Sequence, residues 1–415
     1  MAARLVAGAQ SGAHRVAEPD APVNLASRAL GASVAAASDE FFGEKENLLR
    51  PEPPAHRPRT FGHKGQLVDG WETRRRRGPG HDYALIRLGA PGVISAVVVD
   101  TAHFTGNFPA ECSVEACAAE GYPAPADLLG HSASWVEIVP RSPLAGDTGN
   151  RFTVADGQRF THVRLTIYPD GGVARLRVEG EVVPDPRPLA GLPLDLVALE
   201  NGGIVEAASD RFYSAPENMI GPGRAGGMGD GWETRRRRDA GHDWVLFRLA
   251  AAGRISQAVV DTSCFLGNAP ASAAVRACDA TAAGLEEVEW FDVLPPVPLQ
   301  PDTRHVFRAQ PAGTAPATHV RLEIHPDGGL ARLRLFGELT AEGRARLGLR
   351  WFDRLPTDHA LAVLGGECGL VGPLAAELAG RRPYGLPAHL KWLLTSGELP
   401  SLGAAADQVR ALILG

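Results

Sequence analysis

The chain has 415 residues, enough for two or three domains, with 44% hydrophobic and 22% charged side chains. That balance excludes wholesale disorder and allows a sizeable core. The net charge of −6 gives no reason to bind nucleic acid or an anionic membrane, although the cations are three lysines against 39 arginines.

Residues 1–20 read as a flexible N-terminal arm, small and polar, with Arg15, Glu18 and Asp20 and no continuous apolar core of a secretion signal. Beyond them the chain contains itself twice. Residues 69–107 (DGWETRRRRGPGHDYALIRLGAPGVISAVVVDTAHFTGN) and 230–268 (DGWETRRRRDAGHDWVLFRLAAAGRISQAVVDTSCFLGN) agree at 26 of 39 positions at a constant offset of 161. THVRLTIYPDGGVARLRVEGE (161–181) matches THVRLEIHPDGGLARLRLFGE (318–338) at 16 of 21 positions at an offset of 157, and SDEFFGEKENLL (38–49) parallels SDRFYSAPENMI (209–220). Two copies make a tandem domain duplication, repeat 1 over 21–186 and repeat 2 over 187–342.

Each copy reads as all-β. Tyr83–Leu88 alternates apolar and polar residues, and Val93–Asp100 is a β-branched run after a Pro-Gly turn. His162–Ile167 and Ala174–Val178 alternate around Pro169-Asp170-Gly171-Gly172, which predicts a hairpin. With 48 glycines and 33 prolines, short strands joined by frequent turns point to a sandwich. Pro184–Pro193 reads as a linker. From 343 to 415 the texture becomes helical: Arg346–Leu355, Asp358–Leu364, Pro373–Ala379 and Ala388–Leu394 carry Leu and Ala at helical spacing. The five cysteines are odd in number and lack any C-x-x-C, so a reduced, cytoplasmic setting is expected. No run approaches a membrane span.

The densest constellation is D-G-W-E-T-R-R-R-R-x-x-G-H-D. Four arginines in a row could mark a nucleic-acid surface, but this run is copied inside both repeats of an acidic chain with Asp, Glu and His around it. In extended backbone alternate arginines face opposite ways. Either Arg74 and Arg76 or Arg75 and Arg77 would then clamp a small carboxylate, the other two pairing with Glu72 or Asp82; Arg235 and Arg237 repeat the choice, with Glu233 and Asp243 as partners. Trp71 and Trp232 read as core anchors. His81-Asp82 and His242-Asp243 either serve in acid–base chemistry or close a turn. Asp100-Thr101…Asn107 and Asp261-Thr262…Asn268 follow a buried strand, where a sandwich presents its end loops. The copies differ there: His103 is matched by Cys264, and Tyr168 by His325. If one copy carries the chemistry, His103 marks repeat 1; repeat 2 either contributes through Arg235–Arg238 and His242 or is a structural partner. No strong metal motif is present, and a mixed site for a weakly held divalent ion stays open.

G-W-E-T-R-R-R-R-x-x-G-H-D, V-D-T-x-H-F-x-G-N and Y-P-D-G-G-x-A-R-L-R, in order and in both halves, resemble the allantoicase (allantoate amidinohydrolase) family over residues 20–342. The resemblance implies two tandem galactose-binding-like jelly rolls and hydrolysis of allantoate to ureidoglycolate and urea in purine breakdown. It also implies a small-molecule substrate and a homo-oligomer; charge and the lack of a membrane span argue separately against nucleic-acid and membrane partners, and a noncatalytic small-ligand or carbohydrate-binding jelly-roll module, or a pathway scaffold, is the alternative reading. For such a substrate the arginines at 74–77 would hold the carboxylate. His103, with His81 or one of Asp82, Asp100 and Glu72, would supply acid and base. Asn107, Arg235, Arg237, His242 and Asn268 are further substrate-binding candidates. The tail, with its A-x-x-L-A-x-R-R-P-Y spacing, resembles the opening segment of the 2-oxo-4-hydroxy-4-carboxy-5-ureidoimidazoline decarboxylase, and its length points to an oligomer contact or a noncatalytic remnant rather than a second activity.

Overall fold

The computed structural model describes residues 22–414 except 57, 64, 131–132, 190, 311–314 and 396–402. The expected arm over 1–20 lies outside the described residues. Each repeat is an antiparallel two-layer sandwich of jelly-roll type, and a small helical region follows the second.

The organising element of repeat 1 is a 19-residue strand, Asp82–Asp100, where the sequence pattern suggested two separate strands. Its first half pairs with Ser33–Ala37 on one side and Arg159–Tyr168 on the other. Its second half pairs with Gly149–Thr153 and Arg175–Val182. One strand thus passes from one layer of the sandwich into the other. The Pro91-Gly92 pair read as a turn lies inside this continuous strand, and a β-bulge follows it: Glu179 sits opposite Ala96 and Gly180 opposite Ile94, which leaves Ser95 as the extra residue. An extra residue reverses the inward parity. Accordingly Ala84, Ile86, Leu88 and Ile94 face the core before the bulge, and Val97 and Val99 after it. Repeat 2 does the same with Asp243–Asp261 and a bulge at Ser256.

This topology corrects the predicted hairpin. Arg159–Tyr168 and Arg175–Val182 do not pair with each other; they pair with opposite halves of the long strand. The Pro169–Gly172 turn therefore crosses between layers, and Gly172-Val173 pairs with Trp71-Glu72. Alternation and a turn are shared by hairpins and by sheet-to-sheet crossovers, so local pattern could not separate them. The crossover matters because it carries the turn to the end of the sandwich where the arginine run lies.

Helices Ala341–Arg354, Thr357–Cys368, Pro373–Gly380, Pro387–Thr395 and Gly403–Leu414 make up the tail. The last was not expected. Thr340 caps the first, its hydroxyl accepting from Gly343 N at 2.9 Å. Trp351, Phe352, Leu364, Leu378, Tyr384 and Val409 form a core of their own, closed on one side by Val183 at the end of repeat 1. The segment expected to be a linker is held: Arg187 pairs with Asp185 at 2.5 Å and with Glu367 of the tail at 2.8 Å, and its guanidinium lies over Trp351. No helix among the described residues is long and apolar enough to cross a membrane.

Candidate active site

The loops at one end of repeat 1 are tied together by contacts that reach far along the chain. Trp71 is fully buried, and its indole donates to the carbonyl of Asp39 at 2.8 Å. Trp232 repeats this with Asp210 at 2.8 Å. Both tryptophans are the expected core anchors, each bringing a second loop to the arginine run. Phe104 fills the space beneath: a Cβ on Gly172 would stand 2.0 Å from its ring, and one on Gly70 would stand 2.7 Å from it. Only glycine lets the two backbones close over that phenyl group. Thr73 bonds Gly171 N at 3.1 Å, and Asn107 O accepts from Gly172 N at 2.8 Å, fastening the crossover turn to both neighbours.

On this base the parity of the arginines is decided. Arg74 is paired with Asp39, with Nε–Oδ1 at 2.9 Å, and lies over the ring of Phe41. Arg76 donates from Nη1 to Asp82 Oδ1 at 2.7 Å, and its backbone N–H bonds Asp170 at 2.8 Å. Arg75 and Arg77 are exposed and hold no ion pair among the described residues. Repeat 2 matches: Arg235 pairs with Asp210 at 2.7 Å and Arg237 with Asp243 at 2.8 Å.

Glu72 is not an arginine partner. Its Oε1 accepts from Asn107 Nδ2 at 2.7 Å, and burial pushes its carboxyl pKa up against the smaller lowering effect of that bond. Glu233 and Asn268 repeat the bond at 2.7 Å. Asp82 is buried, with one oxygen held by Arg76 and by Ser38 Oγ at 2.9 Å, so it is a structural anchor for the loops and not an exposed base. Its Oδ2, like that of Asp243, is buried without a partner among the described residues. Asp100 accepts from Ala102 N at 2.9 Å and shapes the turn into the loop that holds His103.

The two histidines expected to work together have different neighbours. His103 has a left-handed backbone (φ 68°), held by Asp147, which accepts from its N–H at 2.7 Å. Its exposed ring lies 3.2 Å from the carbonyl of Pro54 through Nε2, beside His56. Cys264 copies that backbone (φ 72°) with Asp302. His81 is exposed and leans on Tyr168, with ring centroids 5.6 Å apart. In repeat 2 the equivalent His242 meets His325 at 4.5 Å, and burial, then the neighbouring His325, hold its pKa below the ordinary value.

Several members were missed in the sequence: Ser38 and Asp39, Asp170, Ser209 and Asp210, and Asp327, whose Oδ2 accepts from Arg237 N at 2.8 Å. Their signal was present, since Ser-Asp and Pro-Asp-Gly-Gly recur in both copies. A separate concavity of about 900 Å³ lies between the repeats, lined by Val205, Trp244, Leu246, Arg248, Arg321 and Arg350 among others; none of the expected site residues faces it.

The model of the allantoicase repeat family matches residues 23–183 and 194–340, one match per sandwich. A protein of Streptomyces coelicolor named as a probable allantoicase is 54% identical over 338 residues, covering 79% of this chain and 88% of its own. Another from Nocardia farcinica is 56% identical, covering 76% and 94%. The crystal structure of allantoicase from Saccharomyces cerevisiae superposes with a TM-score of 0.66 at 33% identity, over 78% of this chain and 94% of that one. The helical tail lies beyond the matched repeats. Two matched repeats in tandem, and relatives this similar over most of their own length, make the chain a member of the allantoicase family.

Proposed function

We propose that the chain hydrolyses allantoate to ureidoglycolate and urea at the loop end of repeat 1. The observation that carries the placement is His103, replaced by Cys264 in repeat 2, at the same loop end as Glu72, a part-buried carboxyl with a raised pKa tethered by Asn107 beside an arginine run in which Arg75 and Arg77 hold no ion pair among the described residues. Arg75 and Arg77 bind the substrate carboxylate, while Arg74 and Arg76 brace the loop that carries them. Glu72 takes a proton from water, the oxygen attacks the central carbon, and the C–N bond to one ureido group breaks. His103 gives a proton to the departing nitrogen, which leaves as urea, and His81 contacts the second ureido group. A general base and a general acid each contribute ~10²–10⁴-fold in rate. Cys264 at the position of His103 leaves repeat 2 without the acid, so Arg235, Arg237 and Asn268 brace the loops of their own repeat.

The chemistry drawn uses side chains and water, and a chelator arm in the assay reads any contribution of a divalent ion. A cytoplasmic location and self-association belong to the same reading; five free cysteines, with Cys112 and Cys117 pushed up to about 12 by burial, suit a reducing compartment. The test is urea release from allantoate by the full chain. E72Q and H103A are expected to lose at least ~100-fold in kcat with KM changed far less, and E233Q is expected to stay near wild type. Near-wild-type turnover in E72Q, or an equal loss in E233Q, overturns the placement.

A further inference from the structure

Repeat 2 carries a set of side chains that repeat 1 does not. His242 ends the arginine loop, and Glu323 and His325 stand two residues apart on one face of the neighbouring strand Ala317–His325. The pairing of Asp243 with Ile324 brings that face alongside His242. One donor atom from each of the three lies within 4.8 Å of the other two. His242 Nε2 is 3.9 Å from Glu323 Oε2, and it is buried without a hydrogen-bond partner among the described residues. Arg321 approaches the other carboxylate oxygen, Oε1, at 3.3 Å, which leaves Oε2 turned to the imidazole. All three residues are partly exposed, so the cluster opens to solvent on one side.

We infer that His242, Glu323 and His325 form a binding site for one divalent transition-metal ion of the zinc class, with an open coordination position. Two imidazoles and one carboxylate are the donor set of open zinc sites, where three protein ligands leave a fourth position to water or an exchangeable ligand. Bond lengths of ~2.0–2.1 Å put tetrahedral donors about 3.4 Å apart, so closure asks for side-chain rotations of about 1 Å. The ion supplies His242 Nε2 with the partner it lacks. The site belongs to repeat 2 alone, because the positions of Glu323 and His325 are Thr166 and Tyr168 in repeat 1. It is independent of the placement of the hydrolytic reaction in repeat 1.

The test uses the full chain freed of metal by a chelator and then titrated with Co²⁺ by absorption and with Zn²⁺ by calorimetry. One equivalent is expected per chain, with a Co²⁺ d–d band that Zn²⁺ abolishes. H325Y and E323T install the side chains that the same fold already carries in repeat 1. E323Q keeps the shape of the glutamate while removing its charge. Each is expected to bind at least 10-fold more weakly, with an unchanged unfolding midpoint in the absence of metal. Failure of the wild type to take up a stoichiometric ion, or wild-type affinity in E323Q or H325Y, overturns the assignment.

Discussion

Replacing Arg76 by methionine tests the parity of the arginine run. The Asp82 side chain is 2% exposed and that of Arg76 35%. Removing the guanidinium leaves a buried carboxylate with only Ser38 Oγ as a donor, since Asp82 Oδ2 has no partner. Breaking a fully buried ion pair costs ~3–5 kcal/mol. The third of Arg76 that reaches solvent screens the pair, which lowers the expectation to about 2–3 kcal/mol. At ~2–4 °C per kcal/mol for a unit of this size, the melting transition should fall by roughly 5–10 °C. Calorimetry and urea unfolding read the change. R75M, which removes an exposed arginine with no ion pair among the described residues, should stay within ~0.5 kcal/mol of wild type. The double variant R76M/D82N, which neutralises the stranded charge, should recover more than half the loss. If R75M costs as much as R76M, or if D82N gives no recovery, the paired-and-free reading of the run is wrong.

Three further outcomes are expected. G172A should destabilise repeat 1 by ~1–3 kcal/mol, because the new Cβ would stand 2.0 Å from the Phe104 ring; F104L in the same chain should relieve part of that loss in a urea melt. Burial holds His162 down to about 4 from its ordinary 6.5, so the unfolded state binds the extra proton between those values and stability rises with pH across them, by about 3 kcal/mol. Unfolding midpoints of H162Q measured from pH 4 to 7 should lose that rise. Asp195 works in the opposite sense: burial lifts it from 3.8 to about 6, so the folded state binds the extra proton and stability falls as pH rises through that window. D195N should therefore steepen the net gain in stability with pH, and a flatter profile would contradict the sign.

Much of the architecture was legible because it is written in local pattern. Strand alternation, the helical spacing after 343 and the buried tryptophans each depend on neighbours within a few residues. The hairpin was misread because the two strands flanking Pro169–Gly172 pair with opposite halves of one long strand, and their alternation is the same whichever partner they take. Pro91-Gly92 read as a turn and divided that strand in two, although the pair lies inside one continuous strand whose parity reverses only later, at the bulge on Ser95. The final helix, Gly403–Leu414, lacked boundary signals and is held by packing, with Val409 and Ile413 in the tail core.

By itself, the sequence established the duplication, the β texture, the helical tail and the family, because identity at a fixed offset and motif order need no coordinates. Tertiary structure alone decided which arginines are free. That choice rests on Asp39 and Asp170, which lie 35 residues before Arg74 and 94 after Arg76, and on backbone that leaves regular extension after Glu72. It also decided that Glu72 meets Asn107, and that His242 meets Glu323 and His325 some 80 residues away. Side-chain chemistry names the groups that can react or bind, and only the sheet register and the close approach of loops over Phe104 determine which of them share a surface.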